Sequence, residues 1–287
     1  MKVPARVGET LTQATRTLAA AGIEAPRHEA EILLGHLLKR SRAALWSHPE
    51  SFLSARYHNR LLALCRRRAT GEPMAYLTGQ REFWSLDLLV DSRVLIPRPE
   101  TEHLVEAVLA RQARRALRIL DYGTGSGCIA LALANEYPRA RIIALDMDWG
   151  ALAVTGLNCR RHDLHGCVQR VQASSLDALA GENWLDVLVS NPPYIRAADL
   201  SGLPATVRQH EPLHALSPGP QGLELMDDLV RGGLRLLLDG GTLALEVDSG
   251  TAAGVRDKLR PEAWANVAIL PDLAGMPRVV VARRRRP

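Results

Sequence analysis

The chain has 287 residues, of which 47% are hydrophobic, 23% charged and only 4% aromatic, a globular composition of the size of one large or two modest domains. Disordered and fibrous classes are excluded. No stretch reaches the roughly 18 uninterrupted apolar residues that a bilayer requires, and residues 1–12 lack the basic-then-apolar order of a signal peptide, so a cytoplasmic protein without a membrane partner is expected. The net charge of +5 is unevenly spread: residues 1–116 carry 18 basic and 12 acidic side chains, residues 117–282 carry 14 and 19, and Arg283 to Arg286 add four positive charges. The half that holds the glycine loop and Asn191 is acidic, which argues against a nucleic-acid signature. The positive N-terminal segment is expected to dock an acidic face of a protein partner, and the arginine tail to be disordered. Four cysteines (Cys65, Cys128, Cys159, Cys167) with no CxxC pair are read as reduced thiols.

Taken in chain order, residues 7–68 repeat apolar side chains at helical spacing, as in Ala30, Leu33, Leu34, Leu37, Leu38 and in Tyr57, Leu61, Leu64, Cys65. Several short helices are expected, with Arg66-Arg67-Arg68 on a solvated helix face. Gly71-Glu72-Pro73 breaks the pattern, and residues 74–90 read as extended, with Thr78-Gly79-Gln80 as the turn of a hairpin. Proline and acidic residues at 97–102 precede apolar Leu104, Val105, Val108 and Leu109, which predicts a helix N-terminus. From residue 118 short apolar runs alternate with helical stretches. Strands are expected at 118–120, 141–145, 167–171, 187–190, 242–247, 267–270 and 278–282. This alternation predicts an α/β fold built on a doubly wound, mainly parallel sheet covered on both faces. The expected organisation is a helical N-terminal domain (1–72), a β-hairpin linker (73–96) and an α/β domain (97–287).

Asp121-Tyr122-Gly123-Thr124-Gly125-Ser126-Gly127 places three alternate glycines between a strand and a helix, where the backbone can turn tightly and approach a ligand. Asp146 ends the next expected strand, where a carboxylate can accept both ribose hydroxyl hydrogens of a nucleoside. A nicotinamide dinucleotide is one reading. However, Cys128 stands where the third glycine of G-x-G-x-x-G would be, and no phosphate-binding lysine follows as in a P-loop. The ligand is therefore expected to be a nucleoside without phosphate. S-adenosylmethionine is such a ligand, and Asp121 is then expected to face its ammonium group.

A second expected strand ends in Asn191-Pro192-Pro193-Tyr194. Two successive prolines cannot continue a ladder, so the chain leaves the sheet stiffly. If the strand order is the usual nucleoside-binding one, Asn191 and the glycine loop flank one crevice at the topological switch point. The chemistry explains these residue types. An amide or aromatic NH2 is a poor nucleophile because its lone pair is delocalised. Asn191 Oδ1 and the Pro192 carbonyl can each accept one of its hydrogens, so the nitrogen can pyramidalise toward a methyl group while Tyr194 stacks on the planar group. No strong general base is needed before transfer.

The motifs LIPRPETE (95–102), DYGTGSGCIA (121–130), NPPYI (191–195), EPLHAL (211–216), AGMPRVVVA (274–282) and GEPMAYLTGQREFWSL (71–86) occur in the order of the release factor glutamine methyltransferases, which this chain resembles over nearly its whole length. The resemblance implies a Rossmann-like methyltransferase that transfers a methyl group from S-adenosylmethionine to the glutamine amide of the Gly-Gly-Gln motif in bacterial peptide chain release factors, modulating translation termination. It further implies that Asp121, Gly123, Thr124, Gly125, Ser126, Gly127, Asp146, Ser174, Ser175 and Asn191 bind the cofactor, and that Asn191, Pro192, Pro193 and Tyr194 hold the glutamine, with Asn191, Pro192 and Tyr194 catalytic. Where the family commonly has Asp followed by an aromatic or bulky residue after the third strand, this chain has Ser174-Ser175, from which weaker cofactor affinity is expected.

Rival readings use the same Asn191 to Tyr194 chemistry. One is methylation of a ribosomal-protein glutamine. Another is methylation of a nucleic-acid exocyclic amine, against which count the five Trp, five Tyr and two Phe and the lack of a target-recognition domain. A binding module without catalysis conflicts with the joint presence of Asn191, Asp146 and the glycines. Cys159, His162, His165 and Cys167 have zinc-ligand types but no common tetrahedral spacing, so no metal is expected. His210 and His214 are read as loop residues at the site rim. Glu246 is read as lining the crevice or making a structural hydrogen bond.

Overall fold

The computed structural model describes residues 5–113, 116–220 and 223–286, so the first four residues of the N-terminal segment lie outside the description. The chain divides into two compact units, residues 1–79 with 204–210, and residues 80–203 with 211–287.

In the first unit β1 (Ala5–Arg6) leads into α1 (Val7–Ala20), followed by α2 (Pro26–Leu38), α3 (Arg42–Ser47), β2 (Phe52–Leu53), α4 (Ala55–Ala69) and α5 (Met74–Thr78). Val7, Leu11, Ala14 and Leu18 form one buried stripe of α1 and pack on Ala30, Leu33 and Leu34 of α2 and on Leu61 and Cys65 of α4. Helix α2 ends tightly: a Cβ on Gly35 would lie 2.7 Å from the Arg40 carbonyl oxygen. The arginine run of α4 is not simply a solvated face. Arg67 pairs with Glu72, and Arg68 donates to Glu29 of α2 at 2.7 and 3.1 Å, fastening the two helices. Cations in a last helical turn also suit the helix dipole.

The second unit opens on a hairpin, β3 (Gln80–Phe83) and β4 (Leu86–Leu89), followed by a 3-10 turn at Pro99–Thr101 and α6 (Glu102–Leu109). The turn expected at residues 78–80 is displaced. Gly79, at φ 69°, caps α5, and the hairpin turns at Trp84-Ser85, both at positive φ (52° and 59°). That conformation normally selects Asn-Gly. Here the backbone N–H of Trp84 donates to Glu102 and its indole to Glu136, both at 2.8 Å, and Ser85 N–H donates to Glu82.

The rest alternates: β5 (Arg118–Tyr122), α7 (Cys128–Glu136), β6 (Arg141–Asp146), α8 (Trp149–Arg161), β7 (Val168–Gln172), β8 (Leu185–Ser190), α9 (Ala205–His210, part of the first unit), α10 (Glu224–Leu236), β9 (Leu237–Glu246), α11 (Ala252–Lys258), β10 (Trp264–Pro271) and β11 (Pro277–Arg284). Seven strands form one sheet in the order β10-β11-β9-β8-β5-β6-β7, parallel from β9 to β7, with β11 antiparallel to both of its neighbours. All seven expected strands are present. Ile119 of β5 joins α6 and α7 in one core while Leu120 joins α10 and α11 in the other, so the central strand is apolar on both faces. The arginine tail is ordered. Arg283 and Arg284 are strand residues, Arg283 donates to the Gly240 and Arg111 carbonyls (3.3 and 2.7 Å), and Arg285 donates to the Trp264 carbonyl.

Candidate active site

The order in which strands are added reverses between β5 and β8, which run parallel side by side with Tyr122 opposite Ser190. The Ser190 hydroxyl donates to the Tyr122 carbonyl at 2.7 Å and locks the two strand ends. At the carboxyl ends of β5, β6 and β8 a crevice of about 300 Å³ opens. Of the residues implicated by sequence, Gly123, Gly125, Asp146, Ser174, Asn191 and Pro193 line it. Asp121, Thr124, Ser126, Gly127, Ser175, Pro192 and Tyr194 do not.

The glycine loop explains this division. Gly123 and Gly125 have φ of +72° and +56°, and a Cβ on either would meet no atom within 4 Å, because both face the open crevice. Gly127 (φ +83°) faces the protein, where a Cβ would lie 2.7 Å from Leu131 and 2.9 Å from Thr155. The Gly123 and Thr124 N–H groups donate to the Leu145 carbonyl, which fixes the loop against β6. Asp121 is fully buried rather than facing a ligand. Its Oδ2 accepts from the Thr124 hydroxyl (2.6 Å) and from Ala130 N–H (3.2 Å), so the carboxyl ties the loop to the first turn of α7. Its Oδ1 has no partner, and burial pushes the group up to about 7. The Ser126 hydroxyl is buried without a partner, while its carbonyl accepts from Asn158.

Asp146 ends β6. Oδ2 accepts from Gly125 N–H and Oδ1 from Asp148 N–H, both at 2.9 Å, and burial shifts its carboxyl upward. An ionised carboxylate offers about four lone-pair sites, so acceptor capacity remains for a ligand hydroxyl pair. The Tyr122 hydroxyl donates to the Ser174 carbonyl (2.9 Å) and holds Ser174 at the crevice. Ser175 turns away, where its hydroxyl accepts from Asp177 N–H and contacts Asp228 at 3.2 Å.

Asn191 is held from a distant segment: its Nδ2 donates to the Thr101 hydroxyl oxygen at 3.2 Å. Oδ1 is thereby left for an incoming donor. The LIPRPETE segment is pinned by Glu211, which accepts from Ile96 N–H (3.1 Å) and from Arg98 (2.6 Å). The Tyr194 phenol is raised far above its usual range by burial and by Glu246. Sequence reasoning passed over Arg93 and Met147 as lining residues, and it placed His214 only at the rim. His214 lines the crevice, with Nε2 3.6 Å from Asp148. His210 belongs to the first unit. Cys159 is buried and His162 bonds the Asp87 carbonyl; among the described residues no cluster of metal-ligating side chains occurs. No helix of the described residues is long and apolar enough to cross a membrane.

A family model described as the PrmC N-terminal domain matches residues 9–79, and one described as the methyltransferase small domain matches residues 99–206. A release factor glutamine methyltransferase of Moorella thermoacetica is 46% identical over 279 residues, covering 96% of this chain and 98% of its own. One of Coxiella burnetii is 40% identical over 262 residues, covering 90% and 92%. Among solved structures, the hMettl16 catalytic domain in complex with a MAT2A 3′UTR hairpin aligns with a TM-score of 0.57 at 16% identity, covering 83% of this chain and 84% of that one. A methyltransferase from Pyrococcus furiosus aligns at 0.53 and 16%, covering 81% and 100%. At that identity the two structures speak for the fold alone. The sequence relatives, matched over 90% or more of this chain, establish that it belongs to the release factor glutamine methyltransferase family.

Proposed function

We propose that the protein transfers a methyl group from S-adenosylmethionine to the side-chain amide nitrogen of the glutamine in the Gly-Gly-Gln motif of bacterial peptide chain release factors, in the cytoplasm. The observation that carries this reading is the Asn191 amide, restrained by Thr101 at the switch-point crevice that Gly123, Gly125 and Asp146 also line. The crevice fits the cofactor. Two glycines leave its wall open, Asp146 keeps free acceptor sites for ribose hydroxyls, and no lysine or arginine clamp for a phosphate stands in the glycine loop. Gly123, Gly125, Asp146 and Ser174 would hold the cofactor, which when bound supplies an electrophilic methyl group on a sulfonium. Thr124, Ser126, Gly127 and Asp121 shape the loop from behind.

The chain's own residues handle the amide. Asn191 Oδ1 and the Pro192 carbonyl accept its two N–H hydrogens, drawing the nitrogen out of conjugation and aiming its lone pair. Tyr194 and Pro193 restrict the plane of the substrate amide. Asn191 Oδ1 and the Pro192 carbonyl also stabilise the positive charge that the amide nitrogen gains as it bonds the methyl group, and one of its two N–H protons is released to solvent after transfer. The helical unit at residues 1–72, joined by the segment at 73–96 to the catalytic domain at 97–287, serves as the docking surface for the release factor, its excess positive charge facing an acidic region of that partner. Arg67 and Arg68 are excluded from this role because they are spent on Glu72 and Glu29.

Incubation with labelled cofactor and a release factor, a ribosomal protein fraction, RNA and DNA should place the label on the Gly-Gly-Gln peptide, located by mass spectrometry. Its KM should rise with ionic strength if docking is electrostatic. Label confined to nucleic acid or to a ribosomal protein would overturn the reading.

Ser174 allows a direct adjustment of affinity. A carboxylate accepts a hydrogen bond from an adenine amino group more strongly than a hydroxyl does, so Ser174→Asp should tighten cofactor binding by up to about tenfold in calorimetric titration. Ser175 is left unchanged, since its hydroxyl caps the turn at Leu176–Ala178.

A further inference from the structure

We propose that Glu246 and Thr101 are positioning residues that dictate which way the Asn191 amide faces, through a line of hydrogen bonds from carboxylate to hydroxyl to amide. The proposal rests on the amide-methylating reading above and adds residues to it. Thr101 sits at the end of the 3-10 turn and Glu246 at the end of β9, and each is 1% exposed. The Thr101 and Tyr194 hydroxyls face the Glu246 carboxyl and favour its ionised form, as donors do, while Oε2 of the carboxylate is buried without a partner. On its other side the Thr101 oxygen accepts from Asn191 Nδ2 at 3.2 Å.

A hydroxyl has one proton, so the direction of the line is set by the group at its far end. Ionised Glu246 can only accept. It therefore claims the Thr101 proton, Thr101 turns a lone pair to the Asn191 NH2, and Oδ1 is the atom that meets the substrate amide. Protonated Glu246 can donate to Thr101. Thr101 can then donate to Asn191 Oδ1, which turns the Asn191 NH2 toward the substrate NH2, donor against donor. The ionised form of Glu246 is thus the productive one, and activity should rise with pH as its proton leaves.

Burial pushes Glu246 up to about 7, against the Thr101 hydrogen bond and Arg278, which lower it; Glu100 adds to the rise. Burial keeps the Tyr194 phenol and the Cys128 thiol neutral, the thiol at about 12, and Arg278 is raised. Asp121 also stands at about 7, but it bonds Thr124 and Ala130 rather than Thr101 and is unchanged in a Glu246 variant.

The test compares wild type with Glu246→Gln, Thr101→Val and Thr101→Ser. With release factor as substrate, wild-type kcat should rise through a midpoint near pH 7, the value to which Glu246 is pushed. Glu246→Gln and Thr101→Val should lower kcat by about 10- to 100-fold and lose that limb, with the cofactor dissociation constant unchanged, while Thr101→Ser restores both rate and limb. A second readout needs no turnover. The side-chain amide 15N resonance of Asn191, assigned by its loss in Asn191→Asp, should titrate in wild type with the same midpoint and stay fixed in Glu246→Gln. A missing methyl acceptor would leave that resonance titrating and would fault only the substrate. An Asn191 resonance that ignores Glu246, or a Glu246→Gln enzyme with the wild-type kcat and pH profile, would overturn the proposal.

Discussion

Replacing Asn191 with alanine should lower kcat by at least about 10²-fold, or about 2.7 kcal/mol of transition-state stabilisation, and leave the dissociation constant for S-adenosylmethionine nearly unchanged. The separation follows from geometry. The loop and Asp146 are held by backbone hydrogen bonds to Leu145, Gly125 and Asp148, none of which involves Asn191. What alanine removes is one of two acceptors for the substrate NH2, together with the donor that Thr101 accepts. Without Oδ1 the substrate nitrogen stays conjugated and its lone pair is misdirected, a defect expressed in the chemical step. Single-turnover methylation beside calorimetric titration checks both halves. A fall in cofactor affinity as large as the fall in rate would mean that Asn191 holds the cofactor instead.

Gly127→Ala should lower the melting temperature by roughly 5–15 °C, the sum of two separate penalties. A non-glycine residue in the left-handed region costs about 1–2 kcal/mol, and forcing a methyl group into a filled space about 1–3 kcal/mol more. The space is filled: the new Cβ would lie 2.7 Å from Leu131 Cδ1, inside α7, and 2.9 Å from Thr155 Cγ2 in α8. Gly125→Ala is the internal control. It shares the positive φ but has open space around its Cβ, so it should melt closer to wild type while losing cofactor affinity, because its methyl group would stand in the crevice. Calorimetric melts of both variants, with and without cofactor, separate the two effects. Equal melting losses would show that crowding behind the loop is unimportant.

Much of the catalytic unit was legible because its strands are buried on both faces and read as short apolar runs between helical stretches. Less regular chemistry was not. Trp84-Ser85 looks nothing like a hairpin turn, since its positive φ values depend on Glu102 and Glu136, remote carboxylates that anchor the tryptophan. The start of β9 hides inside Leu234-Arg235-Leu236-Leu237-Leu238, a run that suits a helix or a strand equally. The arginine tail had the composition of a disordered end, and pairing with β10 together with the carbonyls of Gly240, Arg111 and Trp264 gives it a place. At the site, glycine spacing, Asp146 and Asn191 marked the crevice, but spacing could not tell Gly125, which faces the ligand, from Gly127, which faces the protein. Nor could it tell that Asp121 is spent on its own loop. Thr101 stands 90 positions before Asn191, and a pairing over that distance leaves no local signal.

The order of the sheet bears on how the protein comes off the ribosome. β11, written last of the seven strands, is inserted between β9 and β10, and β10 joins the sheet only through it. During synthesis the helical unit and the strands from β5 to β8 emerge early and can begin to pair. Until residues beyond 276 are free of the exit tunnel, however, β9 presents a bare edge and β10 has nothing to join. An unpaired apolar edge of that kind is a template for aggregation. The nascent chain is therefore most vulnerable while β11 is still inside the tunnel, and loss of that strand would leave β9 as an edge and β10 with no strand to join.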